Sequence, residues 1–99
     1  PVYGLFIANN IDSDTAETFR IGVGYTRADE RMRLNIVPIT ISQFHSFFRA
    51  LFISSRVSPE AVINLINECA QYRAQFEAPD WKAMINQTVE RTVAAMIAH

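Results

Sequence analysis

The 99 residues contain one cysteine, three glycines and, in Lys82, a single lysine. A lone thiol, Cys69, excludes an internal disulfide and a zinc site built from cysteines. It falls on the apolar stripe of an expected helix, where a thiol behaves as a small buried hydrophobe. Gly4, Gly22 and Gly24 make neither a GxGxxG nor a P-loop pattern, so no glycine-rich phosphate cradle is offered. No apolar run approaches the length that crosses a bilayer. The opening residues lack the basic, apolar and small-residue order of a secretory signal. The expected setting is a reducing cytoplasm, without membrane contact.

Metal ligands are scarce as well. His45 and His99 are too few and too far apart for zinc. Asp12-Ser13-Asp14 starts like a calcium loop, but no glycine occupies the sixth position and no further acids follow at the required spacing. Helix capping explains these two aspartates more simply. Ser46, His45 and the many acids have no spacing that fixes a catalytic triad. Pro79-Asp80-Trp81-Lys82 carries "PD" and "D-x-K", fragments of a metal-dependent nuclease signature. Both fragments share one aspartate and sit at a helix start, so Asp80 reads as a first-turn acid on the helix dipole.

What is present is apolar and aromatic: 49% hydrophobic and 11% aromatic residues, enough for a real core. The formal net charge of −1 is too balanced to imply nucleic-acid binding by itself. The basic residues are nonetheless almost all arginine, whose planar fork suits phosphate and carboxylate. Arg20, Arg27, Arg31 and Arg33 cluster within fourteen residues, three of them in the connection ahead of a strand. That group is the candidate phosphate grip. Asp29 and Glu30 are interleaved with it, as in an ordinary solvated loop.

Along the chain, Val2 to Ala8 (VYGLFIA) is an almost continuous apolar run, the pattern of a strand buried on both faces. Asp14 with Glu17 fits a capping box for a helix from Thr15 to about Ile21. The charged connection YTRADERMR leads into a second strand, Met32 to Ile39, with Pro38 expected at its end or on an open edge. Thr40 with Gln43 repeats the capping spacing. Phe44, Phe47, Phe48, Leu51 and Phe52 then give an amphipathic helix with an aromatic core face. Ser58-Pro59 starts a third helix that ends near Gln75. Pro79 restarts the chain into a fourth, whose apolar face is Trp81, Met84, Ile85, Val89, Met96 and Ile97, with Thr88 and Thr92 on the same side.

The fold class expected is therefore α/β: strand, helix, strand as a parallel pair, followed by three helices. Residues 1–56 form a β-α-β-α unit and 57–99 a C-terminal helical pair, as one domain or a domain fragment. Two strands make a poor sheet, so its other strands are expected elsewhere, in a preceding region or in a second copy.

Three stretches, GLFIANNIDSDTAETFRIG (residues 4–22), RLNIVPITISQFHSFF (33–48) and EAPDWKAMINQTVE (77–90), resemble the C-terminal part of AlwI-type restriction endonucleases. Residues 4–48 carry the best part of the likeness, in order and spacing rather than in one diagnostic motif. These enzymes belong to the type IIS, PD-(D/E)XK nuclease superfamily. The resemblance implies a parent that hydrolyses phosphodiesters of double-stranded DNA with Mg²⁺. It also implies that Val2 to Ala8 follows the catalytic strands of an αβββαβ core. The catalytic Asp, Glu and Lys have no counterpart here, so no catalytic or metal residue is carried over, and this chain alone is expected not to cut DNA.

Two other readings compete. Pro1 resembles the N-terminal general base of tautomerase-superfamily enzymes, although three successive helices exceed that plan. Alternatively, the aromatic helix from Phe44 to Phe52 marks a small non-catalytic module that pairs with a partner or with a second copy.

Overall fold

Asp12, rather than Asp14, begins the first helix. Its Oδ1 accepts the Thr15 backbone N–H at 2.7 Å, and α1 spans Ser13–Ile21. The structure, a computed structural model, describes residues 2–25, 31–71 and 73–98. The expected capping box of Asp14 and Glu17 does not form. With the orphan N–H taken by Asp12, the Glu17 carboxylate accepts from the Arg20 Nε at 2.8 Å, one turn along. Gly22 closes α1 in the left-handed region, with φ 60 and ψ 41, and its N–H reaches the Thr18 carbonyl.

The sheet has the order β1-β3-β2. β1 (Val2–Ala8) and β3 (Arg31–Thr40) pair in parallel, from Val2 opposite Leu34 to Ala8 opposite Thr40. This is the strand-helix-strand unit that the sequence led one to expect. β2 (Val23–Tyr25) is an addition: it runs antiparallel to β3, with Val23 opposite Arg33 and Tyr25 opposite Arg31. Three residues are too few to display a period of two, which is why the segment reads as a connection.

The Leu34 N–H donates to the Gly22 carbonyl at 2.8 Å, away from β1. Alternate residues of a strand point their amides to the same edge, so the donor that Pro38 lacks falls on that edge, past β2. Proline breaks no pairing with β1 there.

β1 departs from its expected burial. Val2, Tyr3, Phe6 and Ile7 are each about 40% exposed. Leu5 leans on the core and Phe6 stacks against Phe19 of α1 at 5.0 Å between ring centroids. Among the described residues β1 is an edge strand with a neighbour on one side only, and an apolar run by itself does not reveal which neighbours exist.

Three helices follow. α2 (Ile41–Ile53) opens with the Thr40–Gln43 capping box: Gln43 N–H donates to Thr40 Oγ1 at 3.1 Å, and Thr40 N–H donates to Gln43 Oε1 at 2.8 Å. Phe44, Phe47, Phe48 and Leu51 pack into the core, but Phe52 is 71% exposed. Successive helix residues are about 100° apart, so Phe52 sits at the margin of the stripe that Phe47 and Leu51 centre. α3 (Pro59–Ala70) has Ser58 as its cap, whose Oγ accepts the Ala61 N–H at 3.1 Å. It stops short of Gln75, and a 3₁₀ turn, Arg73–Gln75, leads to α4 (Ala78–Ile97).

The main core lies where β3 meets α2, α3 and α4. Val37, Ile39, Leu65, Cys69, Trp81 and Ile85 are buried there. Removing side chains of this size from water contributes roughly 2–3 kcal/mol each. Among the described residues no helix is long and apolar enough to cross a membrane.

Candidate nucleic-acid interface

Arg31 and Arg33 occupy the first turn of pairing in β3, opposite Tyr25 and Val23 of β2. The backbone pairing with β2 thus brackets both positions within one short antiparallel ladder. Arg20 stands nearby in sequence but is engaged in α1, where its Nε and one terminal nitrogen both donate to the Glu17 carboxylate. The same pairing holds the Glu17 carboxyl below its ordinary value. Arg27 and Pro1 lie outside the described residues.

The hairpin is fastened at one peptide group. Leu34, next to Arg33, receives on its carbonyl oxygen a hydrogen bond from Arg73 Nη1 at 2.8 Å, while its N–H donates to Gly22. Arg73 is only 3% exposed. Its guanidinium also fills the space over Gly22: a Cβ there would lie 2.6 Å from Nη2 and 2.8 Å from the Leu34 oxygen. Arg73 was not singled out from the sequence. In YRAQF it looks like any arginine between two helices, and only packing between elements far apart in sequence buries it.

Of the clefts among the described residues, two border the ends of the sheet and the helical half. One of about 220 Å³ lies at the carboxyl ends of β1 and β3, lined by Asn10, Ile11, Pro38, Thr40, Gln43 and Lys82, among others. The larger, of about 490 Å³, lies between α2, α3 and α4, with Phe47, Leu51, Leu65 and Met96 among its apolar lining and Arg56 and Glu60 among its polar residues. Asp12 is committed to its cap and Asp80 sits in the first turn of α4. Among the described residues no three of His, Cys, Asp and Glu gather into a group that holds a metal ion. The described residues thus present no such cluster for the Mg²⁺ that the family resemblance implies.

No curated protein and no solved structure matches this chain. The model of the AlwI restriction endonuclease family matches residues 1–47, from β1 into α2. The stretch holding the parallel strands, α1 and the β2–β3 pairing is thus the part of the chain that is similar to AlwI-type restriction endonucleases.

Proposed function

We propose that this chain is the C-terminal segment of a type II restriction endonuclease of the PD-(D/E)XK kind. In this reading it is scaffold for a Mg²⁺-dependent DNA phosphodiester hydrolase whose catalytic residues lie outside it. The family match over residues 1–47 carries the reading. The edge strand β1 supports it. Its four large apolar side chains stand about 40% exposed, and a strand so placed gains from a further strand on its open side. The partner is double-stranded DNA, met by Arg31 and Arg33, with Arg27 and Arg20 as the outer members of the group.

The test is duplex binding followed by fluorescence anisotropy over a range of salt. Each phosphate contact adds about one unit to the slope of log affinity against log salt. Arg31→Ala with Arg33→Ala should weaken binding and flatten that slope by about two. Unchanged affinity and slope would remove these arginines from the interface.

A second reading has its own observation. Phe52, Ile53 and Val57, around the α2–α3 turn, are 71%, 61% and 53% exposed. Such an apolar group suits self-association as a small interaction module. Light scattering decides: a concentration-dependent oligomer dispersed by Phe52→Ser would favour it, and a monomer at all concentrations would not.

A further inference from the structure

Arg73 combines features that an ordinary surface arginine does not. It belongs to the 3₁₀ turn between α3 and α4, yet it is 3% exposed and donates to a strand carbonyl 39 residues away in sequence. The carbonyl it chooses is that of Leu34, which directly follows Arg33 and whose N–H ties β3 to Gly22. Gly22 in turn joins α1 to β2 in a conformation that brings its backbone under the guanidinium. One buried cation thus touches the end of α1, the entry to β2 and the middle of β3.

We propose that Arg73 is a positioning residue: it fixes the β2–β3 hairpin against the helical half and so sets where Arg31 and Arg33 meet the DNA backbone. This rests on the reading that those two arginines contact DNA. Arg73 itself is too buried to reach a phosphate, so its effect on binding passes through the hairpin. A guanidinium suits the task because its planar fork directs several donors at once from a weakly hydrated, always charged group. A flexible ammonium presents one point charge instead.

The experiment is a double-mutant cycle on the whole chain. Arg73→Met keeps length and removes the donors; Arg73→Lys keeps a charged donor. Each is measured for duplex binding alone and in the Arg31→Ala/Arg33→Ala background. Arg73→Met should weaken binding about fivefold in the first case and leave it nearly unchanged in the second, since coupled residues are not additive. Arg73→Lys should fall between wild type and Arg73→Met. The same fold loss in both backgrounds, or no loss in either, overturns the proposal. Amide hydrogen exchange supplies a readout that needs no DNA. In Arg73→Met, or in Arg73→Lys should the former not fold, the Leu34 amide should exchange faster while α4 amides keep their protection. Equal protection of Leu34 in variant and wild type also overturns it. If Leu34 loosens but Arg31→Ala/Arg33→Ala binds DNA like wild type, the brace stands as architecture, its role in DNA binding is refuted, and the interface reading fails.

Discussion

The indole N–H of Trp81 donates to the backbone carbonyl of Cys69 at 2.7 Å, with both residues wholly out of solvent. This bond ties the last turn of α3 to the first turn of α4 behind the sheet. Trp81→Phe keeps an aromatic ring in the core but shrinks it and leaves that carbonyl without its donor. A loss of about 1–3 kcal/mol is expected in urea unfolding. A variant as stable as wild type would mean that the bond adds little to the packing.

Cys69 is itself wholly buried. Burial pushes its thiol up to about 12, far from the range in which the reactive thiolate is populated at neutral pH. Native protein should therefore resist a thiol-specific disulfide reagent and react fully once unfolded by urea. Rapid stoichiometric labelling under native conditions would contradict the burial.

Asp12 gives a pH test. The Thr15 backbone N–H that it accepts is the leading cause holding its carboxyl below the ordinary value. A depressed folded pKa means that the cap's contribution is complete above the unfolded value of about 3.9 and fades as pH falls through the folded one. Asn caps equally well without titrating. Wild type and Asp12→Asn should thus unfold alike near pH 6, with wild type losing ground relative to Asp12→Asn below about pH 4. Parallel unfolding midpoints from pH 6 to pH 2.5 would show that the carboxylate is not the group responsible.

Gly22 couples backbone strain to contact. With φ 60, and with Arg73 and the Leu34 oxygen both inside normal contact distance of a Cβ, Gly22→Ala has no relaxed solution. A loss of about 1–3 kcal/mol is expected by denaturant titration. Wild-type stability would mean that the hairpin shifts freely there.

Local chemistry was legible in the chain, and neighbourhood was not. Thr40 with Gln43 and Ser58 with Pro59 announce their helices because a cap involves residues only three or four apart. The first helix shows the limit of that rule. Asp12, Ser13 and Asp14 are all competent caps, and the backbone, not the residue type, chose Asp12. The parallel pair followed from two apolar runs separated by a helix. That β1 is half exposed did not, because VYGLFIA reads the same with or without a strand on its outer side. Within the candidate interface the sequence shows the arginines, while the buried Arg73 that fastens their hairpin depends on contacts 39 residues apart.

The most direct test of the central claim is a plasmid assay run on two proteins in parallel. Supercoiled DNA is incubated with Mg²⁺ and either this 99-residue chain or its reading frame extended upstream. Site-specific cutting by the extended protein and intact plasmid with the chain alone are the expected outcomes. Mg²⁺-dependent cleavage by the 99 residues themselves would contradict that claim.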